Sequence, residues 1–232
     1  MRNLRKIFLF LSLGLFFACG GKDNSVKFEE MSESEKISYL NAKIRKEPNN
    51  AELFFQRAET LFKKGELQDA LLDIQKAVSI DKKQVEYHVL QADILFAQGE
   101  TALAFSSLQT AKEVDGKYIE AYLKSAELSL YLKDYEKTMF DVKQAIILDK
   151  LNPTAYFLRG WALKEQGDTI NAVKDYQKAI ELKSDYEQAY EELGILYAIK
   201  GDPLAVEYLN STININPQNY SAMYVLAWFY QE

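Results

Sequence analysis

The sequence predicts an all-α fold, an α-solenoid of stacked helix-turn-helix hairpins, on three observations. Small residues recur with a period of 34: Ala58, Ala92, Ala126, Gly160 and Gly194 form one column. Ala70, Ala104, Thr138 and Ala172 form a second column, and Ala77, Ala111, Ala145 and Ala179 a third; Ala205 and Thr212 continue these two, one residue early. Within each period, apolar residues recur at helical spacing in two blocks. Between the blocks stands Gly65, Gly99, Gly167 or Gly201, and glycine just past a helix accepts the left-handed backbone that ends it. A fixed period of this length means units that bury their apolar faces only against their neighbours.

The N-terminal residues belong to a different logic. Arg2, Arg5 and Lys6 precede an apolar run from Ile7 to Phe17. That run is too short to span a bilayer as a helix, which needs about 20 residues; a basic start, a short apolar stretch and then small residues make a secretory signal. The stretch Phe16-Phe17-Ala18-Cys19-Gly20 resembles the lipobox of bacterial lipoproteins, although Leu is more usual where Phe16 stands. The resemblance implies cleavage after residue 18 and lipid on Cys19. It also implies the outer membrane, facing the periplasm, because Gly20 rather than Asp follows the cysteine. Cys19 is the only cysteine, so no internal disulfide is possible. Residues 19–33 then read as a tether rich in Gly, Ser, Lys, Asp and Glu without apolar periodicity, and residues 34–50 as a lone helix that caps the array.

Charge narrows the partners. The chain carries −6 overall; three of its 28 basic residues and none of its 34 acidic ones fall in residues 1–18, so residues 19–232 carry −9. That balance speaks against nucleic acid and against a second contact with anionic lipid.

With position 1 set at Ala51, Val85, Ile119, Pro153, Glu187 and Tyr220, the hairpins fall at 51–84, 85–118, 119–152, 153–186 and 187–219. Residues 220–232 make a first helix without its second. Asp134, Asp168 and Asp202 come just after the turns and can cap the second helices. Pro203 sits at a plausible first helical position, and there the turn is one residue short. Alanine or glycine at positions 8 and 20 lets the two helices of a hairpin approach, and position 27 does the same toward the next. Larger residues fill position 4 (Phe54, His88, Tyr122, Tyr156, Tyr190, Met223) and position 24 (Ile74, Leu108, Val142, Tyr176, Leu209).

These columns resemble the tetratricopeptide repeat family, most closely in Gly-Asp-Thr-Ile-Asn-Ala-Val-Lys-Asp-Tyr-Gln-Lys-Ala-Ile-Glu-Leu at 167–182. The resemblance covers 51–232 and implies a right-handed solenoid whose first helices line a concave face. There are departures. Position 7 is Leu only at Leu193 and Leu226, against Arg57, Gln91, Ser125 and Arg159, and Ser129 stands where a large residue is usual. The third repeat should therefore be the least well packed. The last helix shows Tyr224, Val225, Leu226, Trp228, Phe229 and Tyr230 where a terminal helix should be polar. Three readings stand: that surface meets a partner or a second copy, the chain continues, or the array simply ends on a modest apolar helix.

The resemblance places ligand contacts mostly at positions 2, 5, 9, 12 and 13, and the first four of these share one side of a helix by spacing alone. Position 2 reads Glu52, Glu86 and Glu120, and position 9 reads Glu59, Asp93 and Glu127: an acidic ladder of six carboxylates. Phe55, Val89 and Leu123 at position 5, with Phe62, Phe96 and Leu130 at position 12, lie between the acids. The second half is more aromatic, with Phe157, Trp161, Ile195, Tyr224 and Trp228, interrupted by Lys164 and Glu191. A contiguous patch of this kind usually marks an interaction site. The expected occupant is a peptide or protein segment whose Lys or Arg faces the ladder and whose apolar side chains enter between the rows.

Enzyme readings lack parts. His88 is the only histidine and stands at a packing position; without a second histidine or a spare thiol, Ser-His-Asp, Cys-His and zinc sites are incomplete. The glycines of the repeats stand singly, at turns or at position 8, so no phosphate loop occurs, and no cofactor is expected. Two functional classes remain. One is a lipid-anchored scaffold of the envelope, like outer-membrane assembly factors, pilotins or adaptors of cell-wall hydrolases. The other is a regulatory module that recognises peptides.

Overall fold

In a computed structural model, which describes residues 27–231, those residues fold as helices joined by short turns. Residues 1–18, Cys19 and most of the expected tether lie outside the described residues. A 3₁₀ turn at Phe28–Glu30 precedes α1 (Glu33–Lys46). Five hairpins come next: α2 (Ala51–Lys63) with α3 (Leu67–Ile80), α4 (Val85–Ala97) with α5 (Thr101–Val114), α6 (Ile119–Tyr131) with α7 (Tyr135–Leu148), α8 (Pro153–Glu165) with α9 (Thr169–Leu182), and α10 (Glu187–Ile199) with α11 (Leu204–Ile215). The last helix is α12 (Tyr220–Phe229). No strand occurs among the described residues, and no helix there is long and apolar enough to cross a membrane.

The end of the tether is more ordered than its composition suggests. Phe28 packs on Tyr39, with ring centroids 5.6 Å apart, and Ser32 caps α1 through a capping box with Glu35. The helix therefore starts before residue 34. Both apolar contact and capping reach back into a stretch whose polar residues, taken alone, read as linker.

Each hairpin turn is a helix C-terminal motif in which the chain past the helix bonds back to its last turn, as in Glu66 N–H to the Leu61 carbonyl at 2.9 Å. The pivot takes φ of +79°, +83°, +85° and +67° at Gly65, Gly99, Gly167 and Gly201. In the third hairpin Lys133 occupies this place with φ of 59°. Asp134 and Asp168 cap α7 and α9 by accepting from Lys137 and Asn171. Asp202 accepts from Leu204 at 3.0 Å, and Pro203, although its backbone is helical, stands as the cap rather than inside α11. Between hairpins, Asp81, Asp115, Asp149 and Asn216 each accept from the backbone N–H two residues on, an Asx turn that reverses the chain.

The small-residue columns form the seams. Ala58, Ala126, Ala70, Ala104, Ala77, Ala111, Ala145 and Ala179 are all fully buried. At Gly160 an added Cβ would lie 2.9 Å from the Tyr176 ring, and at Gly194 it would lie 2.7 Å from Leu209. Glycine in these two hairpins thus answers the residue at position 24. Position 7 departs from Leu because it is polar by pairing. Arg57 donates to both Asp73 oxygens at 2.6 Å, and Arg159 to both Asp175 oxygens at 2.7 Å. Ser107 donates to Gln91 at 3.3 Å. In the third hairpin Ser125 is too short to reach Asp141. Lys112 of the preceding hairpin spans the gap, 3.0 Å from Ser125 Oγ and 2.9 Å from Asp141 Oδ1. Asp141 Oδ2 and Ser129 Oγ are buried without a hydrogen-bond partner, as is the Tyr176 hydroxyl in the fourth hairpin.

First helices of successive hairpins touch one another, α2 with α4, α4 with α6, α6 with α8 and α10 with α12, more closely than second helices do. The first-helix side is therefore the shorter, concave side of the stack.

Candidate functional site

The concave side presents the acidic ladder. Glu52, Glu86, Glu120 and Glu127 are exposed, while Glu59 and Asp93 are half-buried. The ladder is not a row of free carboxylates. Tyr87 donates to Glu52 at 3.4 Å and packs on Phe55, with ring centroids 4.9 Å apart. Lys124 pairs with Asp93 at 3.2 Å. Burial still pushes the Asp93 carboxyl above its ordinary pKa, and Lys124 offsets only part of that. Glu59 is raised by burial too, against the pull of Lys63 and with a push from Glu52. Burial lowers the Lys124 ammonium, but Asp93, Glu127 and Glu120 outweigh it and leave its pKa raised. Tyr87, buried and facing Glu52, is pushed up to about 12, so its hydroxyl stays a donor at any physiological pH.

The apolar part of the groove is smaller than the sequence suggests. Val89, Leu123, Leu130 and Phe157 are each at most 9% exposed, so they hold neighbouring helices together rather than face solvent. Phe157, at the same position as the accessible Phe55, is covered by Tyr176 and Tyr186, with ring centroids 5.7 Å and 5.1 Å away. The accessible apolar surface falls instead to Phe55, Phe62, Phe96, Trp161, Ile195 and Trp228. In the second half Lys164 is taken up by Glu192 at 2.8 Å, and Glu187 and Glu191 are held by Asn219. His88, 5% exposed, has Nε2 2.9 Å from the Lys82 carbonyl and serves the packing.

Two models of the tetratricopeptide repeat match the sequence, one over residues 51–84 and one over residues 160–201. The chain carries tetratricopeptide repeats over these two stretches. Among characterised relatives, BBSome complex member BBS4 of Bos taurus is 30% identical over 95 residues, covering 40% of this chain and 18% of that protein. Tetratricopeptide repeat protein 13 of Homo sapiens is 24% identical over 158 residues, covering 68% of this chain and 14% of that one. The chain thus spans less than a fifth of the length of the relatives it matches. Among solved structures, YrrB, described as a tetratricopeptide repeat protein with an unusual peptide-binding site, superposes with a TM-score of 0.58 at 18% identity. That match covers 81% of this chain and 97% of YrrB. At that identity the likeness concerns the fold.

Three groove residues escape the column reading. Lys124 stands at position 6, between two groove positions, and only the structure shows it leaning onto Asp93. Tyr87 stands at position 3 and reaches back to the preceding hairpin. Tyr131, 71% exposed at position 13, meets Phe96 edge-on at 5.3 Å; position 13 itself is the signal for it.

Proposed function

We propose that this protein is a lipid-anchored, non-enzymatic interaction scaffold of a bacterial cell envelope, holding a basic and apolar segment of another protein in its concave groove. The fold and family support protein or peptide binding in general. One observation carries the finer reading. Four exposed glutamates, Glu52, Glu86, Glu120 and Glu127, run along three successive first helices beside the accessible rings of Phe55, Phe62 and Phe96. Such a surface favours a cationic segment with apolar side chains between its charges. The anchor rests on Cys19 and the sequence around it. Each acyl CH₂ contributes about 0.8 kcal/mol of membrane affinity, so the several chains of a bacterial lipoprotein would hold the protein at the membrane.

The test is affinity capture from intact envelopes. A variant with Glu86→Lys, Glu120→Lys and Glu127→Lys should keep its helical circular dichroism and lose the captured protein. Unchanged capture rules out the groove. Cys19→Ser should release the protein from the membrane fraction; retention there rules out the anchor.

A further inference from the structure

A small cavity of about 110 Å³ opens into the groove between α4 and α6. Its floor is apolar, made by Ala92, Leu108 and Leu128; Phe96 walls it, and Asp93, Lys124 and Glu127 carry its charge. Lys124 is already committed to Asp93 at 3.2 Å, whereas Glu127 makes no ion pair among the described residues. Two carboxylates therefore stand against one ammonium, and a single incoming cation balances the cavity. Phe96 is 39% exposed and meets Tyr131 edge-on at 5.3 Å, so its ring is open to a planar ligand.

We infer that this cavity is the specificity pocket for one arginine side chain of the bound segment, an assignment that rests on the proposed groove function. The methylene stem lies on Leu108 and Leu128. The planar guanidinium stacks on Phe96 and bonds to Glu127, where it shares the negative field of Asp93 with Lys124. Arginine fits better than lysine because a planar, weakly hydrated cation meets a ring face and a carboxylate at once, while an ammonium gives up more hydration for a single contact.

The test uses the full chain in detergent micelles with alanine and leucine methyl groups labelled for NMR. The probe is N-acetyl-arginine methylamide at millimolar concentration, compared with its lysine and citrulline counterparts. The expected result is a saturable shift of the Ala92, Leu108 and Leu128 methyls with arginine, at least threefold weaker with lysine and absent with the neutral citrulline. Glu127→Gln and Phe96→Ala should each weaken the arginine response by tenfold or more with the remaining methyl spectrum unchanged. Equal responses to arginine and citrulline, equal responses to arginine and lysine, or shifts confined to other methyls overturn the assignment. The probe is independent of any captured partner. Envelope capture that survives Glu127→Gln and Phe96→Ala but fails with the three-lysine variant overturns the pocket and leaves the groove standing.

Discussion

Lys133 is the one non-glycine residue with positive φ among the described residues, and it stands where four other hairpins have glycine. A side chain in the left-handed region costs about 1–2 kcal/mol, and glycine returns part of that as extra freedom in the unfolded chain. Lys133→Gly should therefore stabilise the protein by about 0.5–1 kcal/mol, read as a raised urea midpoint at constant slope. The opposite experiment concerns Gly194. A Cβ there would sit 2.7 Å from Leu209, whose backbone nitrogen is only 3.2 Å away and cannot retreat as a side-chain tip could. Gly194→Ala should cost about 1–3 kcal/mol by overpacking, measured in the same way. At this scale the sequence is legible where one residue type has one use. A glycine between two apolar blocks means a turn whatever surrounds it. Lys133 is not legible in this way, because lysine has no turn preference of its own and takes the conformation that the flanking helices impose.

Among elements, the informative bond is the one between positions 7 and 23 of a hairpin. Arg57 with Asp73 and Arg159 with Asp175 clamp their helices by paired charge-assisted hydrogen bonds. In the third hairpin the same job falls to Lys112, which comes from the neighbour and brings a buried ion pair with it; Asp141 is 1% exposed. Breaking such a pair from one side leaves an uncompensated charge and costs about 3–5 kcal/mol. Lys112→Met should destabilise by about 3 kcal/mol, the lower end of that range. Adding Ser125→Arg should recover most of the loss, because it restores the arrangement of the first and fourth hairpins; a double-mutant cycle on urea unfolding measures the coupling. No recovery would mean that the two arginines owe their geometry to something other than their spacing. The sequence shows position 7 only as a departure from Leu. Its meaning lies 16 residues away on another helix, and neither helix alone carries that information. Helix existence and the packed seams are legible because periodicity is local; the polar ties between helices are not, because each is a pairwise fact. Four of the apolar groove residues are misplaced by spacing for the same reason. Spacing gives the face of a helix but not what packs over it, and Val89, Leu123, Leu130 and Phe157 are buried.

For the whole molecule, the stack converts small local charges into one surface. First helices lie side by side, so the six carboxylates share a field that no single helix would have, relieved by Lys124 at Asp93 and by Lys63 at Glu59. Exposed charges are screened beyond about 8–10 Å at physiological salt, so capture of a cationic segment should weaken steeply as salt rises. The pH dependence has a defined sign. Burial raises Asp93 and Glu59 above the ordinary carboxylate range, which lies near pH 4. For a carboxyl raised in the folded protein, the stability it contributes is complete below that range and is lost as pH rises through the raised value. A cationic partner opposes this, because it favours the charged forms and draws both pKa values down. Binding at pH just above the ordinary carboxylate range should then release protons, whereas binding near neutrality should release none from these groups. Calorimetry of the captured segment in two buffers of unequal ionisation enthalpy reads the difference directly. Buffer-dependent heat in the acidic window, abolished by Asp93→Asn with Glu59→Gln, is the expected outcome; heat that is the same in both buffers at every pH would place the bound cation away from these two carboxyls.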